Sequence, residues 1–532
     1  MAIELSDLTF TEQDDIVPAS GVEEIFNTGI TKTLAGNDII TGENTYSIPE
    51  GSIPVNSGIR TYGGILDTGN GNDTITGLYN ELKGDSFAGF GIYILESTVD
   101  TGEGDDIIAG TSIDNGQGIQ SFRSIIKTGD GNDIITGIVQ GGEGVGITNA
   151  DTIIDTGNGN DIITGTALRG ISFLFDSTIT TGDGNDTITG TGTGDIVAAG
   201  IGLENLEFID TGDNDDIITG TSAHGYGIVN QGNMTTGDGN DTITGIGSIN
   251  YSGLYNDFLG GIINTGNGAD SIISQGKLFN RGRIFLGEGN DSITANTDLP
   301  NRALENYNTI ETGEGNDIIT SIGIIYNEGV INTDNGTDFI ISDGGFSNSG
   351  VVFLGEGNDS LIGEADLPNG RAIENFNVID TGNGDDYIST YSHLYNEGII
   401  NTGNGNDSIY STFIYNNGGA IITGDGNDSI YTSNGFESGP NSSGSVFLGE
   451  GDDYLHGFGS GDFYGGNGKD IINFSQAPGT YTVGIWGEGR DRSVILTKGN
   501  QQMIISEFEF LWDVATVYNF ANLTAGQIIV VG

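Results

Sequence analysis

The residues best able to do chemistry recur in one short pattern, of which Thr236-Gly237-Asp238-Gly239-Asn240-Asp241-Thr242-Ile243-Thr244 is a complete copy. Aligned on its second aspartate, the pattern has eighteen anchors: Asp38, Asp73, Asp106, Asp133, Asp161, Asp186, Asp216, Asp241, Asp270, Asp291, Asp317, Asp338, Asp359, Asp386, Asp407, Asp428, Asp453 and Asp470. Two residues after each stands Ile, or Leu at Leu361 and Leu455. Glycine stands two residues before it in 17 of 18 copies, Asn214 being the exception, and four before it in 16, the exceptions being Leu34 and Asp334. Asn, Asp or Glu fills nearly every place between the glycines, so that 32 of the 74 carboxylates lie in these turns and repel one another unless a cation intervenes. Alternate glycines let backbone carbonyls converge, and the anchor adds a carboxylate. With no Cys and only His224, His393 and His456, every plausible ligand is oxygen. A flexible, carbonyl-rich oxygen site suits Ca²⁺ better than Mg²⁺ or Zn²⁺.

The whole composition agrees. The 532 residues include 94 Gly, and 15 basic against 74 acidic side chains leave a net charge of −59. Such a charge disfavours nucleic acid and anionic membranes as partners, since both are held by cationic side chains. No run of about 18 apolar residues offers a transmembrane helix. Glu4, Asp7, Glu12, Asp14 and Asp15 stand where a signal peptide needs a basic start and an apolar core, so export without such a signal is expected.

Elements must then hold eighteen turns in a row. The anchors are 17 to 35 residues apart, units too short to bury a core alone, which must stack on their neighbours. One unit reads as three short strands: Asp407-Ser408-Ile409-Tyr410-Ser411 alternates with Ile inward, and segments such as Leu394–Gly398 and Ile399–Thr402 follow the same pattern in the unit before. Asn lies 11 residues before the anchor at Asn27, Asn205, Asn230, Asn280, Asn306, Asn327, Asn348, Asn375, Asn396 and Asn417, which predicts a structural ladder of amides at one corner. Thr occupies the place five before the anchor in 14 copies, replaced by Leu286, Leu354, Leu448 and Gly465. Two inserts, 298–306 and 366–375, match each other and mark a duplicated block of coils. The expected fold is all-β: a right-handed parallel β-helix, or β-solenoid, of about 18 stacked coils, roughly 86 Å long at about 4.8 Å per coil, closed by a small antiparallel C-terminal cap.

The turn resembles the hemolysin-type, or RTX, calcium-binding repeat, Gly-Gly-x-Gly-x-Asp-x-aliphatic-x, over residues 33 to 472. The resemblance implies Ca²⁺ held between consecutive turns by glycine carbonyls and by each anchor Asp named above, with up to about 17 ions for eighteen turns. One turn per long coil, rather than unbroken nine-residue repeats, implies a single row of ions and a wider cross-section. The expected organisation is an N-terminal cap over 1–32, the solenoid over 33–472, and a C-terminal β cap over 473–532 that, by the same resemblance, carries an uncleaved type I secretion signal. The expected function is a secreted calcium-binding structural, surface or adhesive protein, not an enzyme. Its partners are calcium and possible cell-surface polysaccharide or further copies of itself, with no membrane insertion. Two alternatives stay open. Arg281, Arg283, Arg302 and Arg371 suggest a polysaccharide-cleaving β-helix enzyme, although Glu305 and Glu374 beside the last two invite simple ion pairs. The Thr row five before the anchor suggests an ice-binding solenoid.

Overall fold

Alternation of one aliphatic residue with small polar ones gives each coil strands with one buried edge, and stacking buries that edge against the same edge of the next coil. The computed structural model of the protein describes residues 2–18, 24–44, 56–80, 89–113, 115–141, 143–194, 200–248, 250–297, 302–364, 370–439, 443–487, 492–513 and 516–531. These form two compact units, Met1–Gly287 and Glu288–Gly532, each containing nine of the anchor turns. Among the described residues nearly all regular structure is strand, with only two short 3₁₀ turns, Leu5–Asp7 and Phe520–Asn522. The chain is therefore the parallel β-solenoid expected.

Each coil contributes a first face after the anchor, a second face, and a third face that runs into the next glycine turn. In the first unit the first face pairs in parallel with unbroken register, Ile40 to Ile75 to Ile108 to Ile135 to Ile163. Ile188, Ile218, Ile243 and Ile272 continue it. In the second unit the equivalent ladder runs Ile293, Ile319, Ile340, Leu361, Ile388, Ile409, Ile430, Leu455 and Ile472. All of these side chains are buried. Similar ladders line the other two faces, for example Ile147-Ile171-Leu203-Ile228 on the second and Ile126-Ile154-Ile179-Ile209 on the third.

The asparagine ladder is present from Asn205 onward, whereas Asn27 lies beside Thr61 of the next coil with its Nδ2 buried and unpartnered. In the first unit Asn205 donates to Asn230, Asn230 to Asn256 and Asn256 to Asn280, at 2.8 to 2.9 Å. In the second it runs Asn306, Asn327, Asn348, Asn375, Asn396 and Asn416, at 2.8 to 3.0 Å. Asn416, not Asn417, occupies the ladder, because the extra glycine in Asn417-Gly418-Gly419 lengthens the corner by one residue and turns Asn417 outward to Glu397. Asn256 joins although its offset differs, since the loop after it absorbs the extra residues. Asn348→Ala would leave the amide oxygen and carbonyl that it serves, Asn375 Oδ1 and the Val378 carbonyl, without their donor. We expect it to lower stability by about 2–4 kcal/mol, read as a shift of the denaturant midpoint.

Both ends depart from the repeat. The last sixty residues form antiparallel strands as expected: Gly479–Trp486 pairs with Ser493–Lys498 and Ile528–Val531, and Ser493–Lys498 pairs with Gln501–Ser506. Gln501–Ser506 joins the third face through Gly461–Asn467, and Phe510–Trp512 joins the first face through Ile471–Asn473. At the other end Ile3–Glu4 and Ile16–Val17 already pair in parallel with Ile25–Asn27 and Ile39–Asn44, so coil-like structure begins before residue 33. The insert segments 298–301 and 365–369 lie outside the described residues.

Candidate metal centre

Aspartate is normally a surface residue, yet all eighteen anchors are buried, none more than 1% exposed. The strand that follows each anchor alternates inward and outward with period two, and the anchor, two residues before the inward Ile, takes the inward direction as well. One carboxylate oxygen is spent within the protein. In the first unit the amide of each anchor donates to Oδ1 of the next, Asp38 to Asp73, Asp73 to Asp106 and so on to Asp270, at 2.7 to 2.8 Å. In the second unit the same chain runs from Asp291 to Asp470 at 2.8 to 3.0 Å.

Sequence reasoning missed the members at the ends of this chain. Asp15 donates to Asp38 Oδ1 at 2.8 Å, a turn that lacks both glycines and betrays itself only by Val17 two residues later. Asp470 has no following anchor, and Glu509 of the cap supplies the acceptor at 2.7 Å. No spacing rule could have found that glutamate, because it arrives 39 residues later from a differently folded segment.

The other oxygen is the unusual one. In fifteen anchors, Asp38, Asp73, Asp106, Asp133, Asp161, Asp186, Asp216, Asp241, Asp317, Asp338, Asp359, Asp407, Asp428, Asp453 and Asp470, Oδ2 is buried without a hydrogen-bond partner. Where a threonine stands five residues earlier it lies beside the carboxyl and pulls its pKa down, and in most coils its hydroxyl donates to a carbonyl of the next coil, as Thr68 does to Thr101, while Thr156, Thr211 and Thr312 have no such carbonyl bond. Thr381 donates to its own anchor, Asp386 Oδ2, at 2.5 Å. Burial outweighs the hydroxyls: it pushes Asp216 and Asp386 up to about 8, and Asp106, Asp161, Asp241, Asp338, Asp428 and Asp470 to about 7. Asp73, Asp186, Asp359, Asp407 and Asp453 rise to about 6. A row of carboxyls held this way is neutral, or is paired with something positive.

The glycines supply the rest of the turn. Gly71 has φ +146°, and a Cβ there would lie 1.8 Å from the carbonyl oxygen of Gly36 in the preceding coil. Carbonyls of one turn thus press directly on the backbone of the next. Where glycine is replaced the conformation persists, with Leu34, Asn214 and Asp334 at φ 84°, 88° and 58°. The residue directly before the anchor faces solvent, and in most coils its side-chain oxygen accepts the corresponding amide of the next coil, as Asp105 does from Asn132 and Asp385 from Asn406. Those bonds hold Asp105, Asp215 and Asp385 below the usual carboxylate range. Among the described residues no three Asp, Glu or His side chains converge on one point. A cation here would take most of its oxygens from backbone carbonyls.

No family model matches the chain, and no curated protein matches it. Among solved structures it is similar to a hyperactive, Ca²⁺-dependent, β-helical antifreeze protein from an Antarctic bacterium, at 18% identity and a TM-score of 0.33, over 68% of this chain and 86% of that one.

The remaining candidates are scattered or engaged. Arg371 pairs with Glu374 at 2.7 Å and lies 3.3 Å over the Tyr395 ring, and Arg302 lies 3.4 Å over Tyr326, so both guanidiniums are held against the second face. Arg281 and Arg283 lie over Phe279 and Phe285. His224 bonds the Gly194 carbonyl, His393 meets Phe413 and Tyr415 edge-on, and buried His456 stacks on Tyr431. The Thr row five before the anchor is buried and turned to the neighbouring coil, from Thr33 to Thr423. It cannot present hydroxyls to solvent.

Proposed function

We propose that the chain is a calcium-folded structural protein of the extracellular space, whose turns take up Ca²⁺ between successive coils. The observation that carries this reading is the repeated buried Oδ2 without a hydrogen-bond partner, in turns whose backbone carbonyls crowd the next coil, since a hard cation takes both kinds of oxygen. Asp38, Asp73, Asp106, Asp133, Asp161, Asp186, Asp216, Asp241 and Asp270 would hold the ions of the first unit, and Asp291, Asp317, Asp338, Asp359, Asp386, Asp407, Asp428, Asp453 and Asp470 those of the second. When bound, the ion supplies charge compensation, and its binding free energy becomes folding free energy. At low intracellular calcium the carboxylates keep the chain loose, and at millimolar calcium outside the cell they close it, which supports export before folding. The arginines held on aromatic rings support a scaffold in preference to a sugar-cleaving enzyme.

Titration of Ca²⁺ into chelator-stripped protein tests this. We expect a cooperative rise in β-sheet circular dichroism and, by native mass spectrometry, on the order of ten or more ions per chain. A chain fully folded without the ion, taking up one or two, would overturn the reading.

A further inference from the structure

On a chain of charge −59 one broad surface carries almost no charge. In the first unit the first face is built from Ile39–Asn44, Thr74–Asn80, Ile107–Ile113, Ile134–Gln140, Ile162–Ala167, Thr187–Gly192, Ile217–Ser222, Thr242–Ile246 and Ser271–Gln275. Their alternating burial leaves thirty outward residues, of which fourteen are Thr, nine are Ile and a single one, Glu43, is charged. The third face of the same unit carries seven charged residues among twenty outward positions. Its neutrality is therefore a property of the first face, not of the unit.

The exposed aliphatics are substantial: Ile39, Ile107, Ile162 and Ile217 are 37 to 45% exposed. Register fixes them in rows, as in Thr164–Thr189–Thr219–Thr244 down the middle of the face. An extended patch of this kind on a soluble protein marks an interaction surface.

We propose that this face binds a second copy of the chain, first face to first face, about a two-fold axis. Nine strands at about 4.8 Å and three outward side chains across give roughly 650–700 Å² per copy, or about 1,300–1,400 Å² in all, within the range of stable specific interfaces. A flat, rigid, β-branched surface complements itself in aligned sheet packing, and an isologous contact needs no second patch. Apart from Glu43 at one end, nothing on the face offers a charged partner an ion pair. The exposed acids of the turns, among them Asp105, Asp183 and Asp215, border it and repel the other copy until screened, so association rises with salt. The face itself depends on the fold alone, and only a matching rise with calcium rests on the cation reading above.

The test is the mass of the native full chain by light scattering after size exclusion, at low salt, high salt and with calcium, with circular dichroism and ion count on each sample. The expected result is a two-chain species favoured by salt. Thr164→Glu/Thr189→Glu/Thr219→Glu places six charges in the contact and should weaken association about a hundredfold, with the native spectrum kept. Thr178→Glu/Thr180→Glu, on the outward side of the third face, should leave it unchanged. A folded wild-type chain that stays single at high salt overturns the proposal, as does a triple variant that still pairs. Single chains that instead shape growing ice crystals would overturn it in favour of ordered water on the same Thr rows. A dimer without bound ions would sustain this inference and refute the calcium reading, whereas an ion-loaded single chain would do the reverse.

Discussion

Stripped of divalent cations, the protein is expected to be most stable near pH 4 and to lose β structure as the pH rises towards 8. The unfolded chain releases the anchor protons near 3.8, whereas the folded chain holds those of Asp106, Asp161, Asp241, Asp338, Asp428 and Asp470 until about 7. Between those limits the folded state binds more protons than the unfolded one, so unfolding becomes easier with each step upward in pH. One pKa unit corresponds to about 1.4 kcal/mol, so a single carboxyl raised from 3.8 to about 7 costs roughly 4 kcal/mol at pH 8. Several such costs together exceed the ~5–15 kcal/mol that holds an ordinary domain. Calcium should cancel the loss, because the ion replaces the proton at Oδ2. Thermal melts by circular dichroism across pH 4 to 8, with chelator and with calcium, would show it. Melts that stay level with pH in the chelator would mean that the buried carboxyls are compensated within the protein itself.

A single substitution should change sign with the ion. Asp216→Asn keeps an oxygen to accept the Asp186 amide, a bond of 2.8 Å, and removes the charge whose carboxyl burial raises to about 8. Without calcium at pH 8 the variant is expected to be more stable than the parent by on the order of 2–5 kcal/mol, the released cost of burying a carboxylate. With calcium it is expected to be less stable by about 2–3 kcal/mol and to carry one or two fewer ions, since the ions in adjoining gaps lose a ligand. Denaturant midpoints in both conditions, with ion counts, measure the pair. Destabilisation of equal size in both would assign Asp216 to the amide bond alone.

Much of this was readable in the residues. The spacing of Asp, Gly and Ile carried the coil, and the inward aliphatic ladders follow from it because a parallel solenoid repeats one environment per position. The asparagine ladder was visible wherever the corner keeps its length and slipped by one at Asn416, where an added glycine changed the count but not the hydrogen bond. What the residues could not show was direction. An aspartate in a turn reads as a solvent-facing acid, and only the backbone path reveals that the anchor points inward while its neighbour, Asp105 or Asp385, points out. The glycine pairs that bring the first and second faces together were equally silent: a Cβ on Gly77 would lie 2.2 Å from the Gly91 carbonyl, a contact between residues that no periodicity links.

The chain of anchor bonds also has a polarity. Within each unit every coil offers an amide towards the following coil and a carboxylate towards the preceding one, so its two sides are chemically unlike. Like sides cannot satisfy each other, and any stacking of such arrays end on end would have to be head to tail, the geometry that produces open filaments. Glu509 fills the last acceptor place with a side chain from outside the repeat, at Asp470. A glutamate there works as a stop: its carboxylate completes the final coil, while its own N–H donates back to the Asp470 carbonyl and is not offered to a further carboxylate.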